Sequence, residues 1–81
     1  MITAAQIRAA RALIGWTAVM LAERAHVGYQ TVQRAENAEG VPKTTASNLF
    51  AIQRALEDGG VVFLEDGDIR SGGVGVRLKG T

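Results

Sequence analysis

A chain of 81 residues that is 47% apolar and carries a formal net charge of +1 has room for one compact core and little else. It has no cysteine, which excludes disulfide frameworks, thiolate metal sites and cysteine nucleophiles, and no stretch nears the roughly 18 apolar residues of a membrane span. A domain this short hides only about 60% of the surface its unfolded chain exposes, so self-association would add stability.

Thr3 followed by Gln6 reads as a capping box, and Ile7, Ala10 and Ile14 continue it as one apolar stripe that Gly15 can end in a left-handed conformation. Thr17 is the next cap, opening a helix of about two turns through Leu21, Ala22 and Ala25 to His26. A third helix follows at once, with Gly28 at its cap, Val32 and Ala35 inward, and an end near Glu36 or Asn37. Gly40 and Pro42 mark residues 38–44 as a loop, after which Leu49, Ile52 and Leu56 give a fourth helix its inward face until Asp58-Gly59-Gly60 closes it. Beyond Gly60 the pattern changes to Val61-Val62-Phe63-Leu64 and the alternating Val74-Gly75-Val76-Arg77-Leu78, which predict two short strands, with turn chemistry at Asp66-Gly67-Asp68 and Ser71-Gly72-Gly73. The expected fold is mainly α: a compact four-helix unit over residues 1–60 with a two-stranded extension at 61–81.

Charge divides along the same line. Residues 1–54 hold six basic side chains against three acidic ones, and residues 55–81 hold three against five, so the helical part is the basic one. The N-terminal Met1 to Gln6 lacks a basic start followed by an apolar run, which leads us to expect a cytoplasmic protein with no membrane partner.

Ala18 to Asn37 is the informative block. Two short helices meeting at a tight corner need a small residue where they touch, apolar residues locking their inner faces, and polar residues outside. Ala22 supplies the first, and Leu21, Ala25, Val27, Val32 and Ala35 the second. Tyr29, Gln30, Gln33 and Arg34 are then left pointing outward.

This block resembles the Cro/repressor (XRE) helix-turn-helix family at Leu21, Ala22, Ala25, Val27, Val32, Ala35 and the closing Glu36-Asn37, within a frame set by Gly15-Trp16-Thr17 and spanning roughly residues 3–58. It departs from the family at two positions, with His26 where the turn usually has glycine and Ala18 where a glutamine is common after the cap. The resemblance implies a lambda-repressor-like domain that binds double-stranded DNA and regulates transcription. It places Tyr29, Gln30, Gln33 and Arg34 against base edges, where glutamine can pair with adenine and arginine with guanine. Thr17, Thr31, Asn37, Arg8, Arg11 and Lys43 are candidates for phosphate contact, and Arg11 is also expected to pair with Glu36 and fix the third helix against the first.

The predicted strands, through Val61, Phe63, Val74, Val76 and Leu78, are expected to form or support a homodimer on a palindromic operator. The alternative is a partner-binding module of antitoxin or anti-activator type that uses the same strands, or a patch at Val19 and Met20 covered by the strands or by a regulatory protein. No constellation of nucleophile and base, metal ligands or cofactor loop is present: His26 is the one histidine, and Ser71-Gly72-Gly73-Val74-Gly75 lacks the lysine of a phosphate loop. Trp16 is expected to pack in the core rather than serve as a stacking platform.

Overall fold

The computed structural model describes residues 2–40, 42, 44–64 and 75–80; Lys43, Val74 and both turn signals between the strands lie outside them. Four helices come first, α1 (Ala4–Ile14), α2 (Ala18–Ala25), α3 (Tyr29–Asn37) and α4 (Ala46–Asp58), then strands β1 (Val61–Leu64) and β2 (Gly75–Leu78).

Local chemistry accounts for the helix ends. The Thr3 hydroxyl accepts the Gln6 amide at 3.2 Å while the Gln6 Oε1 accepts the Thr3 amide at 2.8 Å, closing the capping box of α1. Gly15, at φ +70°, ends that helix. Thr17 and Thr45 cap α2 and α4 by accepting the Met20 and Asn48 amides, each at 3.1 Å. His26 ends α2 in the left-handed region (φ 57°, ψ 41°), a conformation histidine tolerates better than bulky apolar residues do. The chain turns there into α3, whose first turn bonds back to the Gly28 carbonyl.

Ile7, Leu21, Val32, Ile52 and Leu56 are the largest fully buried side chains, and every helix contributes at least one. Each such side chain contributes about 1.5–3 kcal/mol through burial. Trp16 is half-buried against this core, and the Arg24 guanidinium lies 5.0 Å from its ring centroid, a cation–π contact. Gly59 approaches the same indole so closely that a Cβ there would lie 2.8 Å from Trp16 Cζ2.

The strands pair antiparallel, Val61 with Leu78, Val62 with Arg77, Phe63 with Val76 and Leu64 with Gly75. Cross-strand partners share a face, so Val61, Phe63, Val76 and Leu78 line one side and Val62 and Arg77 the other. Val61 is buried in the helical core and Phe63 and Val76 pack against it, which seats the ribbon on α1 and α4. One polar side chain bonds to both strands as well. The Gln6 Nε2 donates to the Leu64 carbonyl at 3.1 Å and to the Gly75 carbonyl at 2.9 Å, one from each strand, while its Oε1 serves the cap.

Two expectations change here. The ribbon does not cover Val19, which stays 53% exposed on α2, because the apolar face of the strands is taken up by α1 and α4. Val61, expected at a dimer contact, is only 3% exposed because the chain's own core encloses it.

Candidate nucleic-acid interface

Helix α3 is divided by burial into two faces. Val32, Ala35 and Glu36 are buried, whereas Tyr29, Gln30, Gln33, Arg34 and Asn37 are exposed. The spacing of three and four residues places the polar set along the outer side of the helix. Buried Glu36 looks anomalous on an apolar face until its partner is considered. Arg11 donates from Nε to one carboxylate oxygen at 2.8 Å and from Nη2 to the other at 2.9 Å, a bidentate pair that satisfies the buried group. The hydrogen bond to Glu36 and its negative charge, with a smaller contribution from Tyr29, raise the Arg11 pKa against the opposing effect of burial. Arg11 also donates from Nη1 to the Trp16 carbonyl at 3.0 Å, just before the α2 cap. Arg8 adds a bond from Nη1 to the Glu36 backbone carbonyl, taking up one of the free carbonyls at the end of α3. Helix α1 therefore grips α3 by its C-terminal end and holds the exposed face in a set orientation.

On that face, the Gln33 Nε2 donates to the Tyr29 hydroxyl at 2.9 Å, one turn apart. Gln30, Gln33, Arg34 and Asn37 line one open groove with Ala38 and Glu39. A second, smaller groove, also lined by Arg34, lies between Thr31 and the start of α4 at Thr44, Thr45 and Asn48.

The structure thus gathers Tyr29, Gln30, Gln33, Arg34 and Asn37 on one surface and sets Thr31 beside it. Thr17 stands apart at the start of α2 with its hydroxyl occupied as a cap. Arg8 and Arg11 have their guanidinium groups directed to Glu36. Lys43 lies outside the described residues. Sequence reasoning did not anticipate Thr44, Thr45 and Asn48 as walls of the second groove; the only local signal was the cap that Thr45 and Asn48 form. Among the described residues, no group of three His, Asp or Glu side chains is placed to hold a metal ion, and no helix is long and apolar enough to cross a membrane.

A comparison with curated proteins finds no match. The model of one protein family, described as helix-turn-helix, matches residues 7–57, from α1 through nearly all of α4. With that match covering well over half of the sequence, and with α2 and α3 forming the corner that presents a polar helix face, the chain belongs to the Cro/repressor (XRE) helix-turn-helix family of DNA-binding transcription regulators.

Proposed function

We propose that the protein is a repressor that binds a palindromic operator as a homodimer, inserting α3 of each subunit into successive major grooves. The observation that carries this reading is the division of α3: its buried Glu36 is clamped by Arg8 and Arg11 of α1, and its exposed Tyr29, Gln30, Gln33, Arg34 and Asn37 all carry hydrogen-bonding groups. In this reading Gln30, Gln33 and Arg34 face base edges, with glutamine suited to adenine and arginine to guanine, and Tyr29 stands on the same face beside Gln33. Phosphates lie along the flanks, contacted by Asn37 and Thr31, by Thr17 at the start of α2, and by Lys43. Arg8 and Arg11 support the helix first and reach phosphate only with the donors that Glu36 leaves free.

One helix reads too few bases for an operator, and two-fold symmetry doubles the contacts, with half-site centres about 34–36 Å apart. Residues 1–60 read DNA and 61–81 serve the dimer. The two-stranded sheet has outer edges without a strand neighbour among the described residues, and Leu78 is 51% exposed beside them, so a second copy would bury both.

Selection of bound sequences from a random DNA pool tests the reading, and an inverted repeat is the expected result. Leu78→Glu should yield a monomer by light scattering while the helical signal persists; an unchanged dimer would move the interface elsewhere. Gln30→Ala with Arg34→Ala should abolish repression of a reporter carrying the selected operator. Full repression by that variant would favour a partner-binding module instead.

A further inference from the structure

Gln33 is the one exposed reading residue of α3 whose side chain is already held before any DNA is present, and the group that holds it is the hydroxyl of Tyr29. We propose that Tyr29 is a positioning residue: it sets the amide of Gln33 for base reading and so determines specificity at the base pair Gln33 faces, without reading that base itself. The inference rests on the assignment of α3 as the reading helix and deepens it.

The chemistry follows from what each group has to give. A glutamine amide has two N–H donors and one carbonyl acceptor, and a bidentate pair with adenine uses one of each. The bond to Tyr29 uses one N–H. It leaves the second N–H and Oε1, the pair that adenine needs, and holds the amide in one place on the outer side of the helix. A free glutamine samples several rotamers and presents those atoms in several directions, with little preference for one base. Freezing its three side-chain torsions on binding also costs entropy that the bond to Tyr29 has partly met beforehand.

The two residues stand one helical turn apart at positions 29 and 33, on the exposed side, so the bond competes only with water and forms within one rigid helix. Tyr29 is suited to the task because it stands at the first position of α3, is 44% exposed, and reaches its partner along the outer surface rather than through the core. Gln30 and Arg34 have no such holder among the hydrogen bonds of the described residues. The specificity of this face is therefore uneven, sharpest where Gln33 points.

The test is a cycle of variants, Tyr29→Phe, Gln33→Ala and both together, each taken through selection from a random DNA pool. Gln33→Ala identifies the base pair concerned by losing the preference there. Tyr29→Phe should relax the preference at that same base pair by about two- to fivefold, the effect of losing one exposed hydrogen bond, and leave the other positions and the salt dependence of binding unchanged. In the double variant the phenylalanine should add nothing to the loss caused by alanine. The ring is retained in Tyr29→Phe, and an unchanged thermal midpoint separates positioning from folding. Unaltered preference in Tyr29→Phe, while Gln33→Ala changes one base pair, overturns the inference and leaves the reading helix standing. A change at a different base pair, or a full further loss in the double variant, overturns it by showing that Tyr29 reads DNA directly. If Gln33→Ala changes no position, the assignment of Gln33 as a reader fails and the positioning role falls with it.

Discussion

Replacing Arg11 by methionine removes both donors to a carboxylate whose side chain is only 9% exposed. The methionine fills much of the same space, so the main loss is electrostatic: Glu36 keeps its negative charge and its burial, and both oxygens lose the guanidinium that served them. Breaking a buried pair from one side costs about 3–5 kcal/mol, and the 26% exposure of the Arg11 side chain brings the expectation here to about 2–4 kcal/mol because water can reach the vacated side. Loss of the bond to the Trp16 carbonyl falls within that range. For a domain of this size the whole stability is about 4–12 kcal/mol, so the variant should unfold at a midpoint lowered by roughly 10–25 °C. The informative comparison adds Glu36→Leu and the double variant, each followed by urea unfolding with far-ultraviolet circular dichroism. With both charges gone, no buried ion is left stranded, so the double variant should regain most of what Arg11→Met alone loses. If the two single losses simply add, the pair does not hold α3 to α1, and the account of how the exposed face is oriented fails.

Three further outcomes follow from individual residues. His26→Gly relieves a left-handed residue at a helix end, and after the greater freedom of glycine in the unfolded chain is set against it, stability should rise by about 0.5–1 kcal/mol in a thermal melt; a lowered midpoint would mean that the imidazole contributes to the turn. Gly59→Ala puts a methyl 2.8 Å from Trp16 Cζ2 and 2.9 Å from Ile14 Cδ1, so it should cost about 1–3 kcal/mol and shift the emission of the single tryptophan. Glu39 shares a groove with Gln30, Gln33 and Arg34, where its carboxylate would face phosphate; Glu39→Gln should strengthen DNA binding about two- to fivefold at low salt and less at high salt. Weaker binding confined to the selected operator would show instead that Glu39 accepts a bond from a cytosine.

The helices and their ends were legible because their determinants are local. Thr3 with Gln6, and Thr17, act within three residues of themselves, and Gly15 and His26 stand at the ends of α1 and α2. The outward set on α3 follows from the same periodicity, with Glu36 explained once Arg11 is considered beside it. What escaped the sequence depends on contacts across the chain. Gln6 had a complete local role as a capping residue, so nothing signalled that its nitrogen would meet carbonyls 58 and 69 positions away. The Val61–Leu64 run announced a strand, but not that Val61 would be enclosed by the helices, since an apolar run looks the same whether its cover is its own core or a partner. Of the two covers expected for Val19, the strands or a partner protein, the strands are not the one, since a local pattern does not tell which helix a distant ribbon will choose.

Because one glutamine amide binds the carbonyl of Leu64 at the end of β1 and that of Gly75 at the start of β2, the two residues that flank the intervening stretch 65–74 are tied to the same point on α1. Foreign sequence spliced into that stretch would then start and finish at a fixed anchor, and lengthening a closed segment costs only about 0.6 kcal/mol for each doubling of its length. The chain should serve as a carrier for grafted peptides or reporter domains, placed on the ribbon that α1 and α4 hold, while α3 continues to be presented as before.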